Sequence, residues 1–177
     1  MFYQDALNAM FIFGGIYAAQ VLDWGFQELL ILGIIVNIFA APGAILGGWF
    51  NDKIGAKRVV MISVVGLMVT AVMAVSITRD TLFFVIPVDA YSYTVNEYTF
   101  GLYESIGEVV YVLVVIFLGT FSGPAQAASR ALMSNIAPRK YITEFFGLFA
   151  FAGKATSWLA PAIIAFLTAY YLSLIHI

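Results

Sequence analysis

Two long apolar runs, Leu29–Phe50 and Val59–Thr78, flank one short charged stretch, Gly48-Trp-Phe-Asn-Asp52-Lys53-Ile-Gly55-Ala-Lys57-Arg58. A helix needs about 20 apolar residues to cross a bilayer, and each run supplies that length. The charged stretch therefore reads as a tight turn joining two membrane helices at one face of the membrane. Three of its charges are basic, which places that face in the cytoplasm. Gly55 supplies the positive φ that so short a turn needs, and Gly48 is expected to let its helix end approach a neighbour closely. Asp52 is an anion placed to meet the positive N-terminal end of a neighbouring helix, and Lys53, Lys57 and Arg58 can reach headgroups or carboxylates.

The rest of the chain agrees. Hydrophobic residues make up 63% and charged residues 10%, against about 25% charged in a soluble domain. The expected fold is all-α, a polytopic membrane helix bundle with about five transmembrane helices at 5–22, 29–50, 59–78, 109–133 and 145–170 and an outer loop at 79–108. The absence of cysteine removes disulfide and thiolate chemistry. A single histidine, His176, leaves no basis for metal ligation, and no cofactor is expected. The eight Lys and Arg residues form no basic face, so nucleic acid is not an expected partner. A membrane-embedded enzyme would need paired acids, a metal set or an activated nucleophile within a span, and none is apparent.

The charge distribution tests the orientation. Lys53, Lys57, Arg58, Arg130, Arg139 and Lys140 fall on or near one face, with loops 51–58 and 134–144 cytoplasmic. Segment 79–108 has five acids and one base, Arg79, is rich in tyrosine and is expected outside as a solvated or interfacial loop.

Polar groups inside the spans are the candidate site residues. Asp5 and Asn8 open the first helix, Asp5 reading equally well as a solvated cap or as a carboxylate on a polar cavity. Asn37 reads as an amide bonding across helices, with substrate binding as the alternative. In the fourth helix Gly123-Pro124 should kink the backbone and act as a hinge, with Gln126 and Arg130 sharing one face a turn or two below. Arg130 reads as a cavity or gate residue, with headgroup snorkelling as the alternative. Lys154 lies about 15 Å into the fifth helix at 1.5 Å per residue, too deep to reach an interface easily, so it is expected to face the bundle interior or a water-filled path, with a structural ion pair to a carboxylate as the alternative. Thr156 and Ser157 would line the same region.

Several stretches carry a resemblance: Tyr3-Gln-Asp5-Ala-Leu-Asn8, Phe13-Gly14-Gly15-Ile-Tyr17, the charged turn, Gly123-Pro124-Ala-Gln126-Ala-Ala-Ser129-Arg130 and Glu144-Phe-Phe-Gly147 through Lys154-Ala-Thr156-Ser157. The turn resembles the cytoplasmic signature loop of the major facilitator superfamily. The set over residues 1–168 resembles the C-terminal half of bacterial members related to the autophagy-linked vacuolar amino-acid effluxer. The resemblance implies part of a twelve-helix carrier, with these five helices as the seventh to eleventh. It implies that Asp5, Asn8, Gln126 and Arg130 lie near a central cavity and that Asp52 with its basic neighbours latches the cytoplasmic side during alternating access. It also implies a missing N-terminal half of the same protein, a lipid bilayer and a small polar solute as partners. Amino acids are the first solute candidate, with protons as a coupling ion, in a bacterial inner membrane. A half-size carrier acting as a homodimer and a non-transporting membrane scaffold are the rival readings. Residues 1–171 would be this half-transporter. Leu172–Ile177 read like the translation of a sequencing-library adapter and are expected to be a non-native tail.

Overall fold

The computed structural model describes residues 2–89, 91–99, 101–155, 158–159, 161–163, 165–166 and 169–170. Among these, helices dominate: α1 (Phe2–Val21), α2 (Phe26–Ile54), α3 (Ala56–Val75), α4 (Tyr93–Tyr98), α5 (Ile106–Ile136) and α6 (Ile142–Ala155). A three-residue 3₁₀ turn, Arg139–Tyr141, precedes α6, and a two-stranded hairpin, β1 (Thr81–Leu82) with β2 (Ile86–Pro87), follows α3. Among the described residues, three helices are long and apolar enough to cross a membrane: α2, α3 and α5. Residues 1–14 with 133–177 form one compact unit and residues 15–132 another.

In the larger unit α5 is central. Half of its apolar window is buried, against 17% in α2 and 28% in α3. Its seam with α2 is made largely of backbone, with the Pro124 ring at one end. A Cβ added at Gly43 would strike the Thr120 carbonyl, and one at Gly123 would strike the Ala40 carbonyl. At Gly119 it would stand 2.7 Å from the Val36 oxygen, and at Gly47 2.5 Å from Cβ of Pro124. Two helices approach this closely only where glycines leave room. The glycine Cα hydrogens then point at carbonyl oxygens of the facing helix, the geometry of Cα–H···O contacts. Thr120 is also the residue whose carbonyl loses its helical donor, because Pro124 four residues on has no N–H. That oxygen is the one lying against Gly43.

Above the seam the core gathers Ala18, Leu22, Trp24, Leu32, Val36, Ile77, Tyr103 and Tyr111. The Trp24 ring meets Tyr103 at 5.3 Å and Tyr111 edge-on at 5.6 Å, arrangements that the ring quadrupoles favour. The Tyr17 hydroxyl lies 2.9 Å from the carbonyls of both Val75 and Ile77. It can donate to one at a time, and it caps carbonyls left without helical donors at the end of α3. On α3 the buried residues Ala56, Val59, Ser63, Leu67 and Thr70 recur every three to four positions, so one stripe faces the bundle.

The helix boundaries differ from those expected in an instructive way. The stretch 51–58 is not a loop. α2 runs on to Ile54 and α3 begins at Ala56, so Gly55 alone separates them, with φ +86° and ψ 149°. The close approach expected at Gly48 falls at Gly43 and Gly47 instead; among the described residues, nothing outside its own helix turn stands within 4 Å of a Cβ at Gly48. The segment after Val75 also carries structure that was not expected, namely the hairpin, α4 and an N-terminal cap on α5.

Candidate functional site

The Gly55 turn presents its charges outward. Asp52, Lys53, Lys57 and Arg58 are all exposed, while Ala56 and Val59 between them are buried and anchor the turn. The Lys53 ammonium stands 3.6 Å from the Trp49 ring centroid, a cation–π contact that holds it close to α2. Asn51 buries its Oδ1 without a hydrogen-bond partner. The result is a single-residue corner with its charged side chains exposed around it.

On α5, Gln126 is half-buried and Arg130 exposed one turn further on. Their neighbours Ser122 and Ser129 are buried and donate to the Gly119 and Ala125 carbonyls of their own helix, so their hydroxyls are committed locally. Gly123 and Pro124, expected to hinge the helix, lie inside an uninterrupted α5 and pack against α2. Asn37 likewise bonds within its own helix, to the Gly33 carbonyl at 2.8 Å, rather than across to another.

In the smaller unit, Asp5 is buried, 8% exposed, and its Oδ1 has no hydrogen-bond partner. Asn8 is exposed. Lys154, expected to turn inward, is exposed; α6 contains no fully buried residue, and Ile142, Phe146, Phe149 and Gly153 form its one partly buried face. Thr156 and Ser157 lie outside the described residues, as do Leu172–Ile177. The candidates thus fall into two groups. Asp5, Asn8 and Lys154 belong to the smaller unit, and the Gly55 turn with Gln126 and Arg130 to the larger.

A second polar centre, at the end of α3 remote from Gly55, was not anticipated. Arg79 bonds Glu104 at 2.7 Å and lies 3.6 Å from Glu108 and 3.8 Å from Asp23. These acids come from the α1–α2 connector and from the start of α5, so one guanidinium ties three segments together. Glu108 is only 3% exposed. Its Oε2 accepts from the Glu104 and Ser105 amides, and the Glu108 amide donates to Ser105 Oγ at 3.1 Å. That reciprocal pair is a capping box. Its Ser-x-x-Glu spacing is visible in the sequence before an apolar run and could have been read there. Beside it, Tyr103 has its phenol pKa raised, first by burial and then by the negative charges of Glu28 and Glu108.

Comparison with known proteins decides what kind of chain this is. The profile of the family described as "Vacuole effluxer Atg22 like" matches residues 1–174. The chain belongs to this Atg22-like family. It is 26% identical over 168 residues to Autophagy-related protein 22 of Cryptococcus neoformans var. neoformans, covering 95% of the chain and 29% of that protein. It is 24% identical over 164 residues to the MFS-type transporter YxiO of Bacillus subtilis, covering 93% of the chain and 32% of that protein. The chain therefore spans about a third of the length of these relatives. No solved structure matches. For an Atg22-like chain, the Gly55 corner is the feature common to the sequence resemblance and the folded structure.

Proposed function

We propose that this chain is a segment of a secondary transporter that exports or exchanges a small polar solute by alternating access, with amino acids the first class to test. The observation that carries the reading is the Gly55 corner. Two helices long enough to span a membrane meet at one glycine, with Asp52, Lys53, Lys57 and Arg58 exposed around it. Family membership and the MFS-type name of one relative support it. In this reading the exposed charges contact the remaining part of the carrier in one state and release it in the other. Gln126, Arg130, Asp5, Asn8, Thr156, Ser157 and Lys154 contribute to the solute path. Asp5 is the proton acceptor, and its buried, unpartnered Oδ1 supports that role. The bilayer is a bacterial inner membrane, with the Gly55 corner on its cytoplasmic side.

The test uses the full-length protein that contains this segment, reconstituted in liposomes preloaded with labelled amino acids. Counterflow is expected. Asp52→Asn should slow it by on the order of tenfold, the size of a typical coupling of 1–3 kcal/mol between two states. An imposed pH gradient should drive flux in the native protein and not in Asp5→Asn. Full activity of Asp52→Asn, or no movement of any amino acid, would overturn the reading.

A further inference from the structure

The hairpin that follows α3 is apolar, exposed and tethered. From Thr81 to Val88 there is no charged residue, and Asp80 and Asp89 bracket the stretch. Its three-residue tip, Phe83-Phe84-Val85, projects outward: Phe84 is 68% exposed and Val85 81%. Ile86 next to it is half exposed. Phe83 and Phe84 both hold positive φ, 52° and 61°, a conformation that bulky residues adopt only at a cost. A cost of that kind, borne in order to display two phenyl rings, points to a surface that receives them.

The backbone says where the tip lies. The Thr78 amide donates to the Thr81 carbonyl at 2.8 Å, the Phe84 amide to the Ser76 carbonyl at 3.2 Å and the Val88 amide to the Asp80 carbonyl at 2.9 Å. The hairpin is thus bonded, through Phe84, to Ser76, the residue that caps α3. That helix has 20 residues and runs about 30 Å from Gly55, about the thickness of the hydrocarbon core. Its Ser76 end, and with it the hairpin, sits at the interface of the leaflet opposite the Gly55 turn. At the tip the Phe84 and Val85 amides are already bonded, the latter to the Leu82 carbonyl, so neither enters an apolar layer unpaired. Exposed Tyr91 and Tyr98 on the same segment suit the same depth.

We infer that Phe83-Phe84-Val85 is an interfacial lipid anchor, dipping into the headgroup–acyl boundary beside the end of α3. The anchor fixes the depth of this corner of the bundle in the bilayer. It requires only that α3 spans the membrane and does not depend on what the protein transports.

The chain contains no cysteine, so a single introduced thiol in this segment reports its own position. In the full-length protein, with any cysteines elsewhere replaced, Val85→Cys and Ile86→Cys are labelled with an environment-sensitive fluorophore in lipid vesicles, and Asp89→Cys serves as the reference. Quenching by brominated lipids, with loss of the iodide quenching seen at Asp89→Cys, is the expected result. Iodide quenching equal to that at Asp89→Cys would mean a solvated tip and overturn the inference. Protection from both quenchers would mean a tip seated on protein and would overturn it equally. If one substitution prevents folding, the other gives the same reading.

Discussion

Gly47 and Gly48 are consecutive residues of one helix, yet an added methyl group should act oppositely at the two. At Gly47 a Cβ would stand 2.5, 2.7 and 2.9 Å from Cβ, Cα and Cγ of Pro124. The proline is ring-locked and buried within α5, so it cannot turn aside. Ordinary contact begins near 3.4 Å, so the helices must part by up to about 1 Å. A gap of that size forfeits a quarter to a half of each dispersion well it opens. It opens them along the whole seam, from Val36–Gly119 to Gly47–Pro124. Overpacking of this kind costs about 1–3 kcal/mol. The gain in helix propensity from Gly to Ala, about 1 kcal/mol, offsets only part of that cost. At Gly48 no described residue beyond its own helix turn lies within 4 Å, so Gly48→Ala keeps the propensity gain alone. The assay is unfolding of the full-length protein in mixed micelles by denaturing detergent, followed by tryptophan fluorescence. Gly47→Ala should lower the midpoint and Gly48→Ala should leave it unchanged or raise it. If Gly47→Ala is as stable as Gly48→Ala, the α2–α5 seam is not the close contact described here.

Two further outcomes are expected. Arg79→Gln removes the partner of Glu108, which is 3% exposed, and should cost about 1–3 kcal/mol in the same assay. That is less than the 3–5 kcal/mol typical of breaking a fully buried pair, because Arg79 is itself 31% exposed and Glu108 keeps its amide donors; Arg79→Gln with unchanged stability would show that the cluster is only superficial. Tyr103 should ionise above its ordinary value of 10, because burial, Glu28 and Glu108 all disfavour the phenolate. A raised folded-state pKa gives stability that is complete below the unfolded value and is lost as pH rises through the folded one. The loss of stability above about pH 10 should therefore be smaller in Tyr103→Phe, and the tyrosinate absorbance titration should lose one of its components above 10.

Much of the helical plan was legible because hydropathy marks where a membrane lies. The spans at α2, α3 and α5 follow from runs of Ile, Leu, Val and Ala that no soluble helix would expose. Hydropathy does not mark where helices end, however. Asn51, Asp52 and Lys53 are polar, so they read as loop, yet their backbone continues the helix to Ile54 and only Gly55 leaves it. The Arg79 cluster was illegible for another reason. Its partners lie far apart in the chain, at 23, 104 and 108, and a single sequence shows that acids are present without showing which base they meet. Gly123-Pro124 read as a break because proline removes a local hydrogen bond. The compensating surface on α2, at Ala40, Ala44 and Gly47, is a tertiary property. For Asp5 and Lys154 the sequence named residue types that are costly in a membrane, and the fold distinguishes them, with one buried and one exposed.

The glycine seam also sets how α2 and α5 can move. Its notches fit one vertical register only. A slide of α2 by one turn, about 5.4 Å, would bring Phe39 against Thr120 in one direction or Asn51 against Pro124 in the other. A phenyl ring does not fit where a hydrogen atom sat, and an asparagine side chain fares no better. Helices toothed in this way cannot ratchet past one another. They can tilt together or not at all, so α2 and α5 move as one beam.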